Sequence, residues 1–567
     1  MKTLKNRRWA HRFLSAAALV LAGDGLLRAD VTMPAIFGDH MILQQDLKLP
    51  VWGTADAGEK VKIMVGDKSA ETTAGAEGGW RVEFAPLPTS SKPLTVTVTG
   101  KNTLTFNDVL VGDVWVCSGQ SNMQFALSSA HNKATEIPKA SDPQLRLFFV
   151  PKLPHASPPT PGDNAWVVCS PEQAKRFSAV AYFFGCELRS NLNRPIGLIG
   201  SYVGGTPVEA WTGPASRDLT NVTPEAKATF SQRLADYPKA YAAYVVELDK
   251  WNQEFGVALE ASTKEWGIAV AKAKAAGEPL PPRPVPTTPA PLAPPDPEAA
   301  GGLFNGMIRP VIPYGIKGSI WYQGEANTGG AAQYQARLSH LITSWREKWS
   351  EGDFPFLFVQ LARYKGDPGQ DWPLLREAQL KTLSLPNTGM ASAVDIGDPR
   401  NIHPGDKLDV GLRLALAAKH VAYGQTLVYS GAIYDSMKVE GNTIRVSFTQ
   451  TGGGLIIGSA PWIPPGLPAL PTDKLIGFSI AGADKTWVAA EAKIDGNTVV
   501  VSSPQIVTPL AVRYGWANAP EMNLYNKENL PASPFRTDDW LTTPEIPRLL
   551  PATPVPAVAP SAPPTAK

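Results

Sequence analysis

Two hydrophobic periodicities divide the chain. From Val31 to about Asn107, the runs LKLPVWGTA, EKVKIMVG, GWRVEFAPL and LTVTVTG alternate apolar and polar positions, with Gly, Asp and Asn between them. Period-two alternation predicts short strands with one buried face, so this region reads as an all-β unit, most simply a sandwich. At DVLVGDVWVCSG the alternation gives way to continuous apolar runs, continued in RPIGLIGSYVGG, GSIWYQGEAN, FPFLFVQLARY and GMASAVDIG. Such runs fit strands buried on both faces. Between them lies material of helical period: LSHLITSWREKW places Leu338, Leu341, Ile342, Trp345 and Trp349 on one stripe, and LDVGLRLALAAKHVAYG predicts a closing helix. Alternating strands and helices imply a mostly parallel sheet covered on both sides. Alternation returns in GNTIRVSFTQ, LIGFSIAG, GNTVVVSS and PLAVRYGW, a second β unit.

The resulting plan has an N-terminal β domain at 30–108, an α/β domain at 109–422 and a C-terminal β domain at 423–547. An insertion at 223–300 interrupts the middle domain. Its first part, rich in Ala, Lys and Glu, reads as helical, whereas GEPLPPRPVPTTPAPLAPPDPEAA fits polyproline-like or disordered chain. Residues 548–567, PATPVPAVAPSAPPTAK closing the chain, have the composition of a disordered tail.

Composition narrows the class. Residues 1–29 carry a basic stretch followed by the apolar run Phe13 to Ala22, too short to span a bilayer, and read as a signal peptide cleaved near Ala29. Removing six basic residues and one acid turns the formal charge from +2 to −3. A weakly acidic chain without a basic cluster argues against nucleic acid as partner and against insertion into a membrane once the leader is gone. A secreted or periplasmic destination follows. Three cysteines, Cys117, Cys169 and Cys186, allow one intramolecular disulfide at most, and no Cys/His spacing or HExxH pair predicts a metal. No cofactor is expected, and nothing in the chain fixes an oligomeric state.

The candidate chemistry sits after the strands. In an open α/β sheet, ligands gather beyond the carboxyl ends, where VWVCSGQSN exposes Ser121. A nucleophilic serine needs a base and an oxyanion site. The second of these strands ends at Gly204 and Gly205, the third at Gln323, Glu325 and Asn327, and the fifth leads to His403 in DIGDPRNIHPGDK. Each group alone reads equally as a tight turn, a loop brace or packing; four groups at four strand ends converge on a site. Cys117 reads as a small buried apolar residue.

GQSNM, GGTPVEAW, WYQGEAN and IHPGDK resemble, in order, the blocks of SGNH hydrolases, specifically of the sialate O-acetylesterase family. MPAIFGDHMILQQDLKLPVWGTADAGEKV and YGWANAPEMNLYNKENLPASPFRTDDW are similar to the β regions of that family. The resemblance implies a flavodoxin-like, three-layer α/β hydrolase domain flanked by all-β domains. It further implies a cofactor-free carbohydrate O-acetylesterase with an acetylated carbohydrate as its partner: Ser121 as nucleophile, His403 as base, and an oxyanion hole from the amides of Ser121 and of Gly204 or Gly205 and the side chain of Gln323 or Asn327. Where the family often carries Asp three residues before the histidine, this chain has Arg400. Asp398 is the favoured acid, with Asp395 as a loop brace and a Ser–His dyad as the alternative. Trp211, Trp321, Tyr322 and Trp372 are candidates to stack on a sugar, and Arg363 or Arg376 to pair with a carboxylate such as that of sialic acid. Acetylated sialic acid and an acetylated polysaccharide such as acetylxylan are both open. Two other classes are weighed: a non-catalytic carbohydrate-binding protein on a dead hydrolase, and a lipase or peptidase, for which the GxSxG elbow is lacking.

Overall fold

The computed structural model describes residues 30–151, 164–213, 301–367 and 369–540, with scattered helical positions between 243 and 273. The expected leader 1–29, the tail 548–567 and most of the insertion 223–300 lie outside the described residues. The core of the molecule is a sheet whose strands are β1 (Thr103–Gly119), β2 (Asp142–Phe149), β3 (Trp166–Cys169), β4 (Ile196–Tyr202), β5 (Gly318–Tyr322), β6 (Phe356–Gln360) and β7 (Thr388–Ser392). Their spatial order is β7-β6-β5-β1-β4-β2-β3, every neighbouring pair parallel except β2 and β3. All residues of β4, β5 and β6 are buried, the physical reason their sequences carry no alternation.

Helices cover this sheet: α1 (Ser121–Gln124), α2 (Ala179–Leu192), α3 (Tyr334–Trp349), α4 (Trp372–Lys381) and α5 (Leu408–Val421). The α3 stripe is buried at Leu338, Leu341, Ile342, Trp345 and Trp349, each contributing about 1.5–3 kcal/mol if fully withdrawn from water. Ser178 caps α2 by accepting from Ala181 N at 3.2 Å, and Asp371 caps α4 by accepting from Leu374 N at 3.0 Å.

The N-terminal strands merge with the central sheet. β1 is 17 residues long: its first half pairs with Ser90–Thr99, its second with β4 and β5. The expected boundary at 108–109 therefore falls inside one continuous strand. Buried Asp113 fixes the join, accepting from Gln44 Nε2 (3.3 Å), Gln45 Nε2 (2.8 Å) and Tyr423 OH (3.0 Å).

Two four-stranded antiparallel sheets, Ile433–Glu440 with Thr443–Thr449, Thr498–Ser502 and Glu491–Asp495, and Trp487–Ala489 with Phe478–Ala481, Ala511–Tyr514 and Phe535–Arg536, build the C-terminal unit. Its own core includes Ile444, Val446, Ile480, Val499, Val501 and Val512. Polar bonds join it to the central domain: Tyr525 OH donates to Asp395 (3.0 Å), and Arg536 forks onto Glu377 (2.9 and 3.1 Å). No helix among the described residues is long and apolar enough to cross a membrane.

Candidate active site

β1 must end abruptly for Ser121 to reach the sheet edge. Gly119 makes this possible: its φ is +141°, and a Cβ there would lie 2.2 Å from the Tyr322 carbonyl oxygen of β5. Gln120 fastens the turn, donating its backbone N–H to Tyr322 O (3.0 Å) while its side-chain oxygen accepts from the amides of Gly324 (3.3 Å) and Ala326 (3.2 Å). Ser121 then opens α1, where a first-turn amide has no intrahelical acceptor. Gly204, beyond β4, lies against it: a Cβ there would sit 3.3 Å from the Ser121 Cβ.

Asn122 organises the cluster from beneath. Its Nδ2 donates to Glu325 Oε1 (2.6 Å) and to the Ile402 carbonyl (3.0 Å), and its Oδ1 accepts from Lys407 Nζ (2.6 Å). The residue after Ser121 is thus bonded to the residue before His403, which brings both to one rim. Asn122 and Lys407 have no exposed surface and Glu325 has 6%. Burial drives the Lys407 ammonium down to about 7, against the opposing pull of Glu325 and Asp406, and pushes the Glu325 carboxyl up. Half-buried His403 is held below its ordinary value by burial first and by Lys407 second, so its neutral, proton-accepting form persists at lower pH.

The predicted oxyanion donors differ in what they have free. The Gly204 N–H is given to Gln124 Oε1 (2.8 Å), whereas Gly205, exposed with φ +74°, has no acceptor among the described residues. Gln323, fully buried, commits its amide hydrogens to Thr206 O (3.2 Å) and Asn327 Oδ1 (2.7 Å). Asn327 gives one to Glu209 (2.9 Å) and retains one.

Several expected roles are corrected. The Asp398 carboxylate does not meet His403; it accepts from the Arg400 backbone (2.9 Å) and forks with the Arg400 guanidinium at 3.0 Å on each side, chiefly by which it is held below the usual carboxylate range. No hydrogen bond to the His403 ring is formed among the described residues. Asp395, read from the sequence as a loop brace, is bound by Arg413 (2.6 and 2.8 Å) and Tyr525. Trp211, Trp321, Tyr322 and Trp372 are at most 1% exposed and cannot stack on a sugar; Trp211 and Trp321 pack edge to face at 6.0 Å. Arg376, fully buried, gives hydrogen bonds to the carbonyls of Leu361, Ala362, Ala517 and Asn518 at 2.8–2.9 Å, welding α4 to the C-terminal unit. Arg363, 8% exposed, gives Nε to Gly397 O (3.0 Å) and braces the turn carrying Asp398. Asn122, Gln124 and Lys407 were not singled out by sequence reasoning, although Asn122 and Lys407 are polar residues inside blocks already recognised and Gln124 directly follows one.

A cavity of about 370 Å³ lined by Asp142, Cys169, Tyr182, Cys186 and Arg189 lies at the opposite edge, where β2 begins, and shares no residue with this cluster. Among the described residues no three His, Cys, Asp or Glu are grouped to hold a metal ion.

An α/β sheet presenting a serine, glycine amides, side-chain amides and a histidine along one carboxyl edge has the frame of a carboxylic ester hydrolase. Residues 303–421, which contain Gln323, Asn327, His403 and Lys407 but not Ser121, match the family described as carbohydrate esterase, sialic acid-specific acetylesterase. A carbohydrate acetylesterase of known structure from Xanthomonas citri is 36% identical, with a TM-score of 0.69 over 90% of this chain and 100% of that one. The chain belongs to the sialate O-acetylesterase family of carbohydrate esterases. Proteins named sialate O-acetylesterase from Rattus norvegicus and Homo sapiens are 28% identical over 441 residues and 26% over 463, covering 70% and 74% of this chain and 74% and 77% of theirs.

Proposed function

We propose that the chain hydrolyses O-acetyl esters of a carbohydrate through an acetyl-enzyme on Ser121. The observation that carries this reading is the Asn122 side chain, which bonds the Ser121 helix to the Ile402 carbonyl at 3.0 Å and so gives nucleophile and base a common frame. The Ser121 hydroxyl attacks the acetyl carbonyl carbon while His403 takes its proton. The resulting oxyanion is met by the amides of Ser121 and Gly205 and by the remaining Nδ2 hydrogen of Asn327; one such donor is worth about 10²–10³ in rate. His403 returns the proton to the departing sugar hydroxyl as the tetrahedral intermediate collapses, and water, deprotonated by the same imidazole, releases acetate.

In this scheme His403 works without a carboxylate, as one half of a dyad, because the Asp398 charge is bound to Arg400. Asn122, Glu325 and Lys407 are positioning residues. The domain is read as a flavodoxin-like, three-layer SGNH hydrolase. Supporting this, β4, β1, β5, β6 and β7 lie side by side in that order, and helices α2 and α5 pack together, as do α3 and α4. The leader's composition supports action outside the cytoplasm.

Family names point to O-acetylated sialic acid; of the two arginines proposed for a sialate carboxylate, Arg376 serves four backbone carbonyls instead, whereas Arg363 gives only its Nε to Gly397 O. Acetylated sialic acid and an acetylated neutral sugar are therefore both readings of this site. Acetate release from O-acetylated sialic acid and acetylated xylan, measured side by side, decides between them; turnover of neither overturns the proposal.

A further inference from the structure

A second set of side chains reaches the same rim from two other parts of the chain. His131, exposed in the loop after α1, donates its backbone N–H to the Gly405 carbonyl at 3.1 Å, with its Nδ1 3.2 Å from the same oxygen. Gly405 lies two residues past His403. Half-buried Trp462, from the C-terminal unit, stacks on His131 with ring centroids 5.1 Å apart and planes 25° from parallel. The indole also covers Gly405, where a Cβ would be 3.8 Å from its Cη2 atom. Three residues further on, Pro465 accepts from Arg400 Nη2 at 3.0 Å, so the Trp462 segment is fastened to both sides of the His403 turn.

A strut needed only to join the domains has no reason to stand at the rim with an exposed imidazole. The C-terminal unit is already welded elsewhere through Arg376, Arg536 and Tyr525. Flat rings flanking an ester-cleaving edge match the C–H face of a pyranose, which packs on aromatic surface through burial and dispersion.

We propose that Trp462 and His131 form a sugar-stacking plate that binds a unit of an acetylated oligosaccharide or polysaccharide next to the unit being deacetylated. This rests on the reading of Ser121 and His403 as the reacting pair. The test compares wild type with Trp462→Ala, Trp462→Phe and His131→Ala on O-acetylated xylo-, manno- and sialo-oligosaccharides, on the matching acetylated monosaccharides and on 4-nitrophenyl acetate. For the oligosaccharide wild type uses best, Trp462→Ala is expected to lower kcat/KM roughly tenfold more than it does for the monosaccharide or the nitrophenyl ester, through KM, with Trp462→Phe recovering most of the loss. Equal losses on long and short substrates, or a wild type that prefers the monosaccharide throughout, overturn the plate. A Ser121→Ala control that keeps activity would instead overturn the reacting pair, and the ratio of long to short substrate still reports on Trp462.

Discussion

Replacing Lys407 by methionine tests the buried frame beneath the site. Methionine keeps most of the stem but removes the Nζ, which bonds to Asn122 Oδ1 at 2.6 Å and lies 4.8 and 5.4 Å from the Phe125 and Tyr322 ring centroids. Burial sets the ammonium at about 7 in the folded chain, against 10.5 ordinarily. Between those values the unfolded chain binds more protons than the folded one, so the contribution of Lys407 to stability rises with pH, by at most about 1.4 kcal/mol per unit. Methionine binds no proton in either state. The stability of wild type minus that of Lys407→Met should therefore grow by about 2–3 kcal/mol from pH 7 to pH 9. Superimposed is a loss of roughly 1.5–3 kcal/mol for the bond to Asn122. Urea unfolding at pH 7, 8 and 9, followed by tryptophan fluorescence, reads the difference directly. In kinetics, kcat should fall about 10- to 100-fold, or 1.4–2.7 kcal/mol, as Asn122 loosens. The acid limb of kcat/KM should move up, since a positive charge that disfavours the imidazolium is gone. A stability difference flat across pH 7–9, with an unmoved acid limb, would mean that Lys407 neither loses its proton on folding nor acts on His403.

Three further outcomes follow. Asp398→Asn should lower kcat less than about tenfold, because the carboxylate serves Arg400; a loss near 10⁴, as for an aspartate that orients a catalytic histidine, would restore the triad. Arg376→Met should destabilise by about 3–5 kcal/mol, leaving four carbonyls without their donor, with KM for the soluble fraction unchanged; a selective rise in KM for acidic sugars would return Arg376 to the substrate. In wild type the acid limb of kcat/KM should have its midpoint below 6.5, since burial and Lys407 both disfavour the charged imidazole; a midpoint above 6.5 would require a carboxylate partner.

Much of the architecture was legible because burial leaves a period in sequence. The α3 stripe and the double-sided apolar runs of β4 to β7 stand where the pattern put them. Helix α2, AVAYFFGCELRSNL, is apolar nearly all round and shows no stripe, so its period is hidden although eight of its 14 residues are buried. In β2 the apolar run is broken by Arg146, buried because it donates to Asp108 at 2.7 Å, a partner 38 residues away. At the site, sequence pattern located the strand ends but not the pairing of polar groups. That Asp398 turns to Arg400, or that Arg376 faces carbonyls of another domain, depends on side-chain directions and long-range contacts that spacing does not encode. The tryptophans misled for a related reason: aromatic residues beside a strand end suit a sugar and a core equally well.

The measurement that bears most directly on the central claim is acetate release from 4-nitrophenyl acetate and an acetylated oligosaccharide by the wild-type protein, by Ser121→Ala and by His403→Ala. Wild type is expected to turn over both substrates, with a loss on the order of 10⁴-fold or more in each variant, since residues acting as one unit fail singly. Variants that match wild type would contradict that claim and leave a sugar-binding hydrolase fold as the better description.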